Sequence, residues 1–100
     1  MIDWSRIVAF QWDEGNSRKS VDKHGVGQTE AEEIFFGEPL VVAEDVGHSQ
    51  QEARFHALGE TTAGRRLHVT FTLRESGTQI RVISGRDMSQ KERSVYAKAR

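Results

Sequence analysis

The spacing of hydrophobic residues changes along this chain, and each change marks a new element. In "RRLHVTFTLR", residues 65–74, Leu67, Val69, Phe71 and Leu73 alternate with His68, Thr70, Thr72 and Arg74. That period of two sends successive side chains to opposite faces of a strand. "ESG" joins this run to "TQIRVISGR", where Ile80 and Val82 oppose Arg81 and Ile83, and so short a connection predicts an antiparallel hairpin. "PLVVAED" and "ARFHALG" read as two further strands around the loop "GHSQQE", the second with Phe55 and Ala57 on one face and Arg54, His56 and Leu58 on the other. Elsewhere the spacing is helical. Thr29 and Glu32 stand in capping-box relation ahead of Ala31, Ile34 and Phe35, and Gly37 and Pro39 stop that run. Ser89 and Glu92 repeat the box ahead of a terminal helix carrying Val95, Tyr96 and Ala99.

The N-terminal "RIVAFQWD" is a short β-prone run that ends at Asp13, a side chain able to cap a helix over residues 14–23. That helix is weakly patterned, since Val21 is its one aliphatic residue, and its docking is expected to rely on Trp12. Gly25 suits the left-handed position after a helix end, with Lys23 and His24 in the last turn, where the helix dipole favours positive charge. The predicted order is β-α-α-β-β-β-β-α over a single domain, residues 1–100. It describes an α+β fold: a small antiparallel sheet of four to five strands, two N-terminal helices and one C-terminal helix.

Composition narrows the chemistry. A chain of 100 residues supports one modest core. Cysteine is absent, which removes disulfides, thiolate metal sites and a cysteine nucleophile and suits a reducing compartment. No apolar run approaches a membrane span, and acidic residues interrupt the N-terminal "MIDWSRIVAFQWDEG" where a signal peptide needs an apolar stretch; a cytoplasmic protein is expected. The net charge of −1 conceals a division: residues 1–64 carry five basic and twelve acidic side chains, residues 65–100 nine and three. Such asymmetry fits either a polyanion-binding surface or two solvated faces of opposite sign.

His24, His48, His56 and His68 lack the paired spacing of a metal site, and no glycine-rich phosphate loop is present, so no metal or cofactor is expected. Arginines stand at more telling places: Arg54 early in one central strand, Arg81 inside another, and Arg86 where that strand leaves for the terminal helix. The guanidinium fork matches phosphate oxygens in pairs. For Arg81 the alternative is an ion pair with an acidic residue of the helices. His24 serves either as a helix-end residue or as a proton carrier titrating near neutrality. His56 and His68 lie on strand faces that Thr70 and Thr72 mark as solvent-exposed, and Tyr96 either packs or presents its hydroxyl.

Five segments in order, "WDEGNSRKSVDKHGV", "EAEEIFFGEPL", "EARFHALG", "GRRLHVTFT" and "IRVISGRDMSQKERSVY", resemble the BrnT family of toxins from type II toxin–antitoxin operons. The resemblance implies a RelE-like ribonuclease fold and RNA cleavage without a metal. It also implies neutralisation by a BrnA-like ribbon-helix-helix antitoxin, through which operator DNA is bound. It gives weight to Trp12, Asp13, Lys23, His24, Gly25, Glu52, Arg54, Arg81, Ser84, Arg86, Glu92, Arg93 and Tyr96. Among these, His24, Arg54, Arg81 and Arg86 are the catalytic candidates, Lys23 and Arg93 are expected to touch RNA, and Glu92 and Tyr96 are accessory. Asn16 and Ser20 stand where the family commonly has lysine and asparagine, which leaves a second reading open: a non-catalytic partner in operon repression.

Overall fold

The structure is a computed structural model describing residues 2–48 and 52–100; the middle of the "GHSQQE" loop lies outside the described residues. The predicted order of elements is observed: β1 (Ala9–Phe10), α1 (Lys19–His24), α2 (Gln28–Glu33), β2 (Val41–Glu44), β3 (Arg54–Glu60), β4 (Arg66–Arg74), β5 (Gln79–Asp87) and α3 (Gln90–Ala99). The five strands form one sheet in the order β1-β5-β4-β3-β2. Strands β2 to β5 pair antiparallel, and β1 adds a short parallel edge to β5 through Ala9–Gln79 and Phe10–Ile80.

Local chemistry shifts two boundaries. The first helix starts at Lys19, not near residue 14, because Asp13 Oδ1 accepts from the Gly15 N–H at 2.8 Å and Asn16 Oδ1 from the Asp13 N–H at 2.8 Å. Such side-chain-to-backbone bonds offer the chain a turn in place of a helix. Gly25 then ends α1 at φ 65°, as expected of a left-handed terminal glycine. The expected Thr29–Glu32 box is displaced by two residues: Gly27 is the N-cap, and Glu30 reaches back to its N–H at 3.3 Å. Glu32 instead accepts from the Trp12 indole at 2.7 Å, so Trp12 fastens α2 rather than α1.

The sheet has two unlike faces. On one, α1, α2 and the N-terminal segment enclose Val26, Ala31, Ile34, Phe55, Ala57, Leu67, Val69, Phe71, Ile80 and Val82. Gly59 lets Ile34 close on the sheet: a Cβ there would lie 2.7 Å from Ile34 Cβ. On the other, Tyr96 of α3 and Met88, just ahead of that helix, pack against Leu58 and Val41. The charge division also folds back on itself, because Arg65, Arg66, Arg74 and Arg81 from the basic half pair with Glu30, Glu60, Glu52 and Asp13 from the acidic half.

Candidate functional site

Residues directly opposite in an antiparallel pair share a face, and the register of β3, β4 and β5 sets three rows on the face that α3 only partly covers. They are Arg54–Thr72–Arg81, His56–Thr70–Ser84 and Leu58–His68–Arg86. Arg81 and Arg86 are five residues apart, and regular alternation would put them on opposite faces. The register slips between Thr70 and Phe71, so that Ser84 pairs with Thr70, Val82 with Phe71, and Ile83 has no opposite residue. This extra residue reverses the alternation and brings all three arginines to one side.

A pocket of about 480 Å³ opens on this face between β2 and α3, with His56, His68, Arg86 and Glu92 as its polar wall and Leu58 and Val95 among its apolar lining. The imidazoles of His56 and His68 lie 4.9 Å apart, centroid to centroid. His56 Nε2 is 2.8 Å from Asp45 Oδ2, and its Nδ1 is 3.1 Å from Thr70 Oγ1. Arg86 grips Glu92 with both Nη atoms, at 2.8 and 2.9 Å, while Glu92 also accepts from the Ser89 N–H at 2.8 Å. The bond from Arg86 holds the Glu92 carboxyl down at about 2. Burial pushes His68 below its ordinary value, reinforced by the positive charge of Arg86, so it is neutral at physiological pH. Thr70 and Thr72, expected in solvent, are buried. Their hydroxyls are satisfied by His56 and by the Ala53 carbonyl at 2.6 Å, which removes the penalty for burying them.

The remaining candidates sit apart from this pocket. Arg81 donates to Asp13 through Nη1 and Nη2 at 2.9 and 3.0 Å and to Gln11 at 3.0 Å; it is the ion pair that was the alternative reading, although Asp13 precedes α1 rather than belonging to it. That bond lowers the Asp13 carboxyl below the usual carboxylate range. Arg54 shares the row of Arg81. Lys23 and His24 are exposed in the last turn of α1, and α1 lies against the opposite face of the sheet, where Ser20 Oγ accepts from the Gly85 N–H at 2.7 Å. Arg93 is exposed beside Met88, with its Nε 3.4 Å from the Met88 carbonyl. Tyr96 packs, buried, and donates to the Pro39 carbonyl at 2.9 Å.

Two groups had gone unnoticed. Asp45 is silent in the sequence because its pairing with His56 crosses from the β2 edge to β3. Arg65 binds Asp87 and Glu30 and also the carbonyls of His24 and Gly25, at 2.8–3.2 Å, satisfying the open end of α1. Asn16 and Ser20 are both buried: the Asn16 amide donates to Gln11 O and Val82 O at 3.0 and 2.8 Å. Both positions therefore fasten the N-terminal segment to β5 and stay clear of the pocket.

This chain, with its helix-flanked sheet and arginine rows, matches over residues 12–92 the sequence model of a family described as ribonuclease toxin, BrnT, of type II toxin–antitoxin systems. The chain belongs to the BrnT family. Its fold is similar to that in the 1.1 Å crystal structure of the Brucella abortus ribonuclease toxin BrnT, with a TM-score of 0.61, 24% sequence identity, and coverage of 83% of this chain and 99% of that one. At that identity the likeness speaks to the fold alone. No curated protein sequence matches this BrnT chain. No helix in the described residues is long and apolar enough to cross a membrane.

Proposed function

We propose that the chain is an endoribonuclease toxin cleaving RNA by metal-independent transesterification in the His56–His68 pocket, held in check by a BrnA-type ribbon-helix-helix antitoxin through which it reaches operator DNA. The observation that carries this reading is the convergence of Arg54, Arg81 and Arg86 with two adjacent imidazoles on one sheet face of a ribonuclease-toxin family member. Such cleavage needs a base for the ribose 2′-OH, positive charge for the phosphorane, and an acid for the departing 5′ oxygen. His68, neutral through burial, suits the base. His56, held by Asp45 at 2.8 Å on Nε2, suits the acid through Nδ1, whose 3.1 Å contact with Thr70 gives way to the departing oxygen. Arg81 suits phosphate contact, because its partner Asp13 is 57% exposed and a phosphate can take the place of that carboxylate on the guanidinium fork. Arg86, gripped by Glu92, holds the pocket wall and its charge.

The test is induction of the chain in bacteria, followed by incubation of purified protein with RNA. Growth arrest and RNA cleavage are expected. His68→Gln and His56→Gln should each slow cleavage by about a hundredfold or more while RNA binding survives, and Arg81→Ala should weaken binding. Undiminished growth with intact RNA at high expression would overturn the ribonuclease reading in favour of a repression partner.

A further inference from the structure

We infer that the open trough on the opposite sheet face is the docking site of the antitoxin, and that it takes an amphipathic segment with apolar anchors and Lys or Arg on its flanks. The trough has a volume of about 1070 Å³ and is walled by the N-terminal segment, the turn after α2 and the edge strand β2. Phe36 and Val8 stand on it 80% and 79% exposed, and Trp4 41%. Single exposed apolar side chains are ordinary, but a contiguous set lining one concavity marks an interaction surface. The volume reaches the upper end of what small-molecule clefts offer, roughly 300–1,000 Å³, and an open trough of this kind suits a secondary-structure element laid in a groove.

Charge names the occupant. The charged residues lining the trough are Glu38 and Glu44, both exposed and both acidic, so a basic flank is favoured and an acidic or second anionic surface is repelled. A type II toxin family supplies the partner class, since its members are paired with antitoxins. Strand β2 separates the two sites: Val42 and Glu44 look into the trough, whereas Val41 and Ala43 line the His56–His68 pocket. Antitoxin anchored in the trough thus sits one strand's thickness from the catalytic candidates. The N-terminal wall, Ile2 to Phe10, precedes the stretch matched to the family.

The inference rests on the antitoxin partnership in the reading above, and its test is independent of RNA cleavage. The purified product of the adjacent reading frame is titrated by calorimetry against the wild-type chain, Phe36→Ser, Val8→Ser, the double variant, and Glu38→Lys/Glu44→Lys, with Val21→Ser on α1 as the remote control. Each single apolar change should raise Kd about tenfold and the double about a hundredfold, with melting temperature, RNA cleavage and the Val21→Ser affinity unchanged. The charge reversal should slow association about tenfold and flatten its salt dependence. An unchanged Kd for the double variant, or no binding by the wild type, overturns the inference. So does sedimentation showing that the trough variants abolish a homodimer while antitoxin affinity is preserved, because the occupant is then a second copy. If the wild type binds antitoxin as expected yet cuts no RNA, the ribonuclease reading fails and the docking site stands.

Discussion

Replacing Glu92 by glutamine removes one charge and almost nothing else, which makes it a clean measure of the Arg86 pair. Glutamine keeps the shape and can still accept from the Ser89 N–H, so the capping box of α3 survives. The two-bond grip on Arg86 at 2.8 and 2.9 Å is what is lost. A carboxyl held at about 2 against an ordinary 4.5, chiefly by Arg86 and in part by the Ser89 N–H that glutamine keeps, corresponds to roughly 3–4 kcal/mol, at about 1.4 kcal/mol per pKa unit. Arg86 is 37% exposed, and solvent there reduces the loss to about 2 kcal/mol. For a chain of this length the melting temperature should fall by about 8–16 °C. The sign with pH is fixed by the depressed folded-state value. The contribution is complete above the unfolded carboxyl's titration near 4.5 and disappears as pH falls towards 2. Thermal unfolding by circular dichroism at pH 7 and pH 3 therefore reads both parts. A gap under 2 °C at pH 7, or one that does not narrow at pH 3, refutes the reasoning.

Three further outcomes follow from the packing. Gly59→Ala forces a methyl to within 2.7 Å of Ile34 Cβ and should cost about 1–3 kcal/mol by overpacking; an unchanged denaturant midpoint would show that Ile34 yields freely. Asn16→Ala strands the Val82 and Gln11 carbonyls it serves and the Asp13 N–H, and should cost about 2–3 kcal/mol, seen as a lower urea midpoint with an unchanged m-value. His24→Lys keeps a cation in the last turn of α1 and should leave melting within about 2 °C and cleavage at the wild-type rate, whereas loss of cleavage would return this imidazole to the active surface.

The alternation in residues 65–74 was sufficient to locate the central strand, because a half-buried strand imposes period two whatever surrounds it. The hairpin and α3 were legible for similar reasons, each depending on signals a few residues long. The placement of Arg86 was not. Its side of the sheet depends on an unpaired Ile83, and nothing in "RVISGR" distinguishes a strand that slips from one that does not. The burial of His68 and Thr70 was hidden as well, since it requires α3 to return across the sheet and Asp45 to reach His56 from a neighbouring strand. Exposed-looking polar residues on a central strand say only that one face is polar, not that it is wet.

The slip at Ile83 makes the surface of this protein a matter of pairing register as well as composition. Pairing the same residues without the slip changes no charge, yet regular alternation would turn Ser84 through Asp87 over. Arg86 would be driven towards Val26 and Ser20, which now close on Gly85, and Asp87 would leave the grip of Arg65. Two homologous chains with every arginine in common and no gap between them, one slipped here and one regular, would therefore carry different electrostatic landscapes, whereas a chain lacking Ile83 would keep this one, its Arg81 and Arg86 four residues apart on one face.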